Sequence, residues 1–163
     1  YNTRFIELAS EINTNMPRYT VGLIQDALND VGKSLKGAKI LVMGVAYKAD
    51  IDDMRESPAA DIIGCLVQKG AIVRAYDPEA MIQAKRLLPA AVTLCENPYQ
   101  VVENADALVL ATEWNEFKQL DFRKVSKLMA QKVVLDGRNL WDPQPLTGLG
   151  FRYFGVGLGK YTI

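Results

Sequence analysis

The 163-residue sequence contains no histidine. That removes the side chain that most often acts as general base or metal ligand near neutral pH, so any acid–base chemistry falls to carboxylate, lysine or cysteine. Cysteine is scarce: Cys65 and Cys95 stand far apart with no C-x-x-C pair, which argues against a thiolate metal site and against a disulfide framework. Net charge is lacking too. With 19 lysines and arginines against 19 aspartates and glutamates, no overall field draws the chain to nucleic acid or to an anionic membrane, and any anionic ligand must be held locally. No apolar run approaches the roughly 20 residues that span a bilayer, and the start, YNTRFIELAS, lacks the shape of a secretory signal. A reducing, cytoplasmic setting is expected. Because the chain opens on tyrosine, a piece of a longer protein is expected as well.

What is present is periodic. Over residues 3–16, Phe5, Ile6, Leu8, Ala9 and Ile12 recur at helical spacing, and Pro17 suits the first turn of another helix with Val21, Ile24, Leu28 and Val31 on one face. Two helices are therefore expected before the first strand. From residue 34 the pattern becomes short apolar runs alternating with amphipathic stretches. Strands are predicted at 39–46, 71–76, 92–94, 107–111, 132–135 and 152–155, and helices at 58–69, 79–88, 98–104 and 121–129. Such alternation predicts an α/β fold, a three-layer sandwich around a mostly parallel sheet. The expected division is a helical segment at 1–33 and an α/β domain at 34–163.

In an open sheet of this kind ligands sit beyond the carboxyl ends of the strands. The first strand ends at a glycine in ILVMGVAYKADIDDMRESPA, yet the G-x-G-x-x-G of a dinucleotide turn is missing. In its place stands a loop with Lys48, Asp50, Asp52, Asp53, Arg55 and Glu56. Lys48 or Arg55 could grip an anion, or the loop could be a solvated, salt-bridged turn. Ser57 and Pro58 read as N-cap and first-turn proline of the next helix, whose free amides would point back at the loop.

Other strand ends leave similar pairs of readings open. Asp77 stands where a dinucleotide fold places its ribose-binding acid, or forms a turn with Pro78. Arg138, in DGR, projects from the edge as a ligand group or a surface arginine. Cys65 falls on an apolar helix face and reads as a small buried thiol, and Cys95 reads as inert without a histidine to activate it. Trp114 and Phe117 could stack on a base or cover the core.

Several of these motifs occur together elsewhere. GVAYKADIDDMRESPA, with TRFIELASEINTNMP before it and AYDP, ATEWNEF and VLDGRNLWDP after it, closely resembles the carboxyl-terminal part of the UDP-glucose/GDP-mannose dehydrogenase family. Members of that family oxidise a nucleotide sugar to a uronic acid with NAD. The resemblance implies a Rossmann-like, UDP-binding domain at 34–163, preceded at 1–33 by what remains of the central linking and dimerisation helices. It implies that Tyr47 and Lys48 contact the UDP-sugar substrate, Lys48 on its phosphate side, and that Arg138 is a further substrate arginine. Arg55 would reach across to NAD bound by another domain. Glu113 and Trp114 match a family motif without an assigned contact.

The family's nucleophilic cysteine, in a GGxC motif, has no counterpart here, and neither Cys65 nor Cys95 fits it. The resemblance thus implies a chain that binds without catalysing, in a parent that is a homodimer or higher oligomer. UDP-N-acetyl-hexosamine is the implied sugar class, with UDP-glucose as the alternative. A different class of function is a stand-alone regulatory module on a flavodoxin-like scaffold. Its sharpest form is a phospho-receiver using Asp52, Asp53 and Thr112, although no aspartate ends the third strand at TLCENP.

Overall fold

The computed structural model describes residues 3–161. It opens with a single helix, α1 (Arg4–Asn29), where two were expected. Pro17 lies inside it. A proline costs the helix one N–H bond to the carbonyl four residues earlier, but the apolar spacing continues in phase across it. Thr14 and Thr20 turn their hydroxyls back to the Ser10 and Met16 carbonyls at 2.8 and 2.9 Å. The proline is a good first-turn residue that the surrounding pattern overrides.

The two halves of α1 differ in their surroundings. From Pro17 onward Thr20, Val21, Ile24, Ala27 and Leu28 are buried, whereas Phe5, Ile6, Leu8 and Ile12 are exposed, Phe5 to 83%.

The core then alternates: β1 (Lys39–Met43), α2 (Pro58–Gln68), β2 (Ile72–Tyr76), α3 (Met81–Leu87), β3 (Thr93–Leu94), α4 (Pro98–Val102) and β4 (Ala107–Leu110). It continues with α5 (Asn115–Lys118), α6 (Phe122–Leu128), β5 (Val133–Asp136), α7 (Pro143–Gly148), β6 (Arg152–Gly155) and β7 (Gly159–Tyr161). Every residue of β4 and β5 is buried, which requires cover on both faces of the sheet; α1 packs on α2, and α4 on α6.

The strands lie in the order β3-β2-β1-β4-β5-β6-β7, parallel throughout except for β7, which runs antiparallel to β6. The parallel six have the Rossmann order, with the chain reversing its direction of travel between β1 and β4. A flavodoxin-like sheet runs 2-1-3-4-5, so the regulatory scaffold is excluded by the position of β3 at the far edge. The elements unforeseen in the sequence are α5, α7 and β7, each too short to show a period. β1 ends three residues before its predicted limit, because Gly44 turns off at φ 84° and gives its N–H to the Tyr76 carbonyl at 2.8 Å.

Candidate functional site

The carboxyl ends of β2, β1, β4 and β5 are tied together by side chains. At the end of β2, Asp77 is wholly buried. One oxygen, Oδ2, accepts the backbone N–H groups of Val45 (2.8 Å) and Ala46 (3.0 Å) and the indole N–H of Trp114 (3.1 Å). The other accepts the N–H groups of Glu79 (3.0 Å) and Ala80 (2.9 Å). Five donors occupy the carboxylate and none of its surface remains for a ligand. The ribose role open to Asp77 in the sequence is therefore corrected: the acid faces inward and anchors the loop after β1.

Residues 45 and 46 are held from two further directions. The Thr112 hydroxyl donates to the Ala46 carbonyl and the Ser57 hydroxyl to the Val45 carbonyl, both at 2.7 Å. Ser57 stands at the N-cap position of α2, as expected, but its side chain makes no capping bond; the competing carbonyl of the anchored loop takes the hydroxyl instead. Thr112 is buried by this contact, which leaves it unsuited to the receiver role considered for it.

From this fixed base the loop emerges into solvent. Tyr47 and Lys48 are both exposed, and the Tyr47 N–H closes the loop on the Asp53 carbonyl at 2.8 Å. Among the described residues the Lys48 ammonium has no hydrogen bond or ion pair. Its neighbours are engaged. Asp52 accepts from Gln83 Nε2 at 2.8 Å, and Asp53 receives the Arg55 backbone N–H, Nε and Nη2 at 2.8–3.1 Å. Hydrogen bonds from the Arg55 side chain and backbone hold the Asp53 carboxyl down at about 2. The Arg55 side chain remains 87% exposed although Asp53 holds its Nε and Nη2, which leaves Nη1 as the guanidinium nitrogen without a bond among the described residues.

Arg138 is set in the same manner by a second buried acid. Asp136, the last residue of β5, accepts the Arg138 N–H (3.0 Å), the Trp141 N–H (2.9 Å) and the Tyr153 hydroxyl (2.8 Å). The guanidinium of Arg138 then forks onto Glu113, with Nη2 2.9 Å from Oε1 and Nε 2.7 Å from Oε2. Burial pushes the Glu113 carboxyl up. The Arg138 hydrogen bond, a backbone hydrogen bond and the Arg138 charge together outweigh it, so the group lies below its ordinary value. Because β1, β4 and β5 are neighbours, Lys48, Glu113 and Arg138 lie along one edge on either side of the reversal point.

The aromatic and thiol candidates resolve toward structure. Trp114 and Phe117 are buried, so they cover the core instead of offering a stacking face. The Tyr76 hydroxyl, raised by burial and by its bond to Glu116 Oε1 at 2.8 Å, stays protonated. Cys65 packs against the core on α2, and burial pushes the Cys95 thiol up, away from nucleophilic character. The sequence carried no sign that Asp77 and Asp136 turn inward, and the pairing of Glu113 with Arg138 went unread. An acid following one strand and an arginine following its neighbour was the available signal for that pair.

Residues 41–143 match the UDP binding domain of the UDP-glucose/GDP-mannose dehydrogenase family. The UDP-glucose 6-dehydrogenase of Rhizobium meliloti is 36% identical over 154 residues, which cover 94% of this chain and 34% of that protein. Among solved structures, the UDP-D-ManNAc dehydrogenase from Pyrococcus horikoshii aligns with a TM-score of 0.81 at 33% identity, over 96% of this chain and 34% of its own. The NDP-N-acetyl-D-galactosaminuronic acid dehydrogenase from Methanosarcina mazei gives 0.83 at 31% identity, over 93% and 31%. The chain thus spans about a third of the length of these relatives. With most of its length inside the matched region and its fold superposing on the matched structures, the chain belongs to the UDP-glucose/GDP-mannose dehydrogenase family.

Proposed function

We propose that this chain is the UDP-binding part of a cytoplasmic, NAD-dependent UDP-sugar 6-dehydrogenase that supplies uronic acids for polysaccharide synthesis. The observation that carries the reading is Lys48: a cation without a partner among the described residues, on a loop anchored by a buried carboxylate, at the point of the sheet where ligands bind. A diphosphate would meet the Lys48 ammonium as a point charge and the half-exposed Arg138 as a planar fork, with the Tyr47 ring alongside. Ser57 gives its hydroxyl to Val45 and so does not cap α2; with no N–H on Pro58 and the Ala60 N–H bonded to the Ser57 carbonyl at 3.1 Å, the helix start adds at most the Ala59 N–H, and the anion is met chiefly by side chains.

The residues at this switch point do not fit NAD. The glycine fingerprint is missing and Asp77, the position that would meet a ribose, is filled by five protein N–H groups. NAD belongs to the remainder of the parent protein, with Arg55 as this chain's outward contact to it. No thiol here suits the oxidation, so the chain binds and its parent catalyses. The exposed apolar side chains on the first half of α1 support a homo-oligomeric parent, with residues 1–33 as its linking helix. The sugar is a UDP-N-acetyl-hexosamine, the class nearest the loop motif; the Rhizobium relative favours UDP-glucose as the second reading.

Calorimetric titration with UDP tests the proposal, with GDP as the control nucleotide. Wild type is expected to bind UDP, and Lys48→Ala to lose tenfold or more in affinity, about 1.5–3 kcal/mol for a hydrogen bond to a charged group. Melting temperature should be unchanged in the variant, because Lys48 is exposed and unpaired. Absence of heat in the wild type, or equal affinity in the variant, overturns the reading.

A further inference from the structure

A second cluster of cations lies at the opposite, amino end of the sheet. There the turn between α1 and β1 meets the turn between α2 and β2, enclosing a shallow cavity of about 430 Å³ lined by Gln25, Asn29, Lys33, Ser34, Lys36 and Lys69. Among the described residues three lysines line it and no carboxylate does. Lys33 is offset by Asp106, 3.2 Å from its ammonium, but Lys36 and Lys69 make no ion pair among the described residues. In a chain of zero net charge this leaves a local excess of two positive charges.

The backbone adds donors to the same place. The last carbonyls of α1 are closed off, since Gly32 N–H bonds Asn29 O at 2.9 Å and Lys33 N–H bonds Leu28 O at 2.9 Å. The negative end of the helix is therefore capped by its own chain. The next three N–H groups, of Ser34, Leu35 and Lys36, have no partner among the described residues. The two turns are also fixed to each other: Gly37 N–H bonds Gly70 O at 2.9 Å, and the Lys36 stem lies against Gly70, where a β-carbon would come within 3.1 Å of its Cγ. The turn that carries Lys36 is thereby kept beside the turn that carries Lys69.

We propose that this cavity binds a phosphate-bearing anion, at a site separate from the Lys48 edge. Lys36 and Lys69 supply the charge, the unpartnered Ser34–Lys36 amides of the lining turn supply further donors, and the bound anion cross-links the α1–β1 turn to the α2–β2 turn. β1, about 16 Å of extended chain, separates the two sites. The inference therefore holds whether or not Lys48 binds UDP.

Two-dimensional amide NMR of the 163-residue chain tests it, with pyrophosphate and orthophosphate titrated separately at ionic strength held constant by sodium chloride. Saturable shifts at Ser34, Leu35, Lys36 and Gly70 are expected, in wild type and equally in Lys48→Ala. Tighter pyrophosphate binding would mark a polyphosphate or nucleotide as the ligand; equal binding would mark a single phosphate group. The double variant Lys36→Gln/Lys69→Gln should fold, both side chains being exposed, and should bind at least tenfold more weakly. The proposal is overturned if the shifts fail to saturate, survive in the double variant, or disappear in Lys48→Ala.

Discussion

Arg138 and Glu113 form a bidentate pair across two adjacent strand ends, so the arginine proposed to meet the substrate's phosphates is already partnered before any ligand arrives. A diphosphate must share that guanidinium with Glu113 or take it away. Glu113→Gln keeps the shape and removes the competing charge. UDP affinity measured by calorimetry at neutral pH should rise about threefold, the scale set by a partly exposed ion pair. Weaker binding in the variant would show that Glu113 aims Arg138 more than it competes for it.

The same pair sets a pH dependence of stability. Glu113 titrates below its ordinary value of 4.5 in the folded chain, so it binds protons more readily when unfolded. Its contribution is complete above that ordinary value and is lost as pH falls through the lowered one. Urea midpoints at pH 6 and at about pH 3 should therefore differ less for Glu113→Gln than for wild type. Asp53, lowered from 3.8 to about 2, begins to lose its own contribution in the same acid range, but it does so equally in both proteins and cancels from the comparison.

Gly44 lies against Thr112 without room for a side chain. A β-carbon there would fall 2.5 Å from Thr112 Cβ and 2.7 Å from Thr112 N, on a backbone already at φ 84°. Gly44→Ala should cost about 3 kcal/mol in urea unfolding, combining overpacking with the left-handed penalty. A change under about 1 kcal/mol would mean that the two loops can separate freely.

Asp77→Asn tests the anchor of the loop that carries Lys48. The amide places an NH2 group where an oxygen now accepts N–H donors, stranding at least one of them in the interior. A loss of about 2–4 kcal/mol is expected, read from chemical denaturation. Hydrogen exchange at Val45 and Ala46 should accelerate ahead of exchange in β4, because the loop loses its tether before the sheet opens.

Much of this architecture was legible because it rests on repetition. The continuous apolar runs of β1, β4 and β5 and the amphipathic stretches between them specify a parallel sheet covered on both sides. Pro17 misled because its first-turn preference is a local signal, while the face that buries Val21, Ile24 and Leu28 extends the same helix through it. At the site, the loop carrying Tyr47, Lys48 and Arg55 was readable from its place after the first strand. Its fastening was not. Whether a strand-terminal aspartate faces solvent or turns inward depends on which N–H groups the neighbouring loops bring to it, and those loops are 31 to 37 residues away in sequence. Ser57 shows the same limit: its hydroxyl had a helix to cap and a carbonyl to meet, and only the folded chain decides between them.

The inward turn of Asp77 has a consequence for how such a domain can change its ligand. In a dinucleotide fold the acid at this strand end serves the ligand, and here it serves the protein. Giving a ribose access to it would strand the N–H groups it satisfies and release the loop that displays Lys48. A path back to dinucleotide recognition therefore begins with a less stable intermediate that holds neither ligand well. The two specificities are separated by a valley that no single substitution crosses.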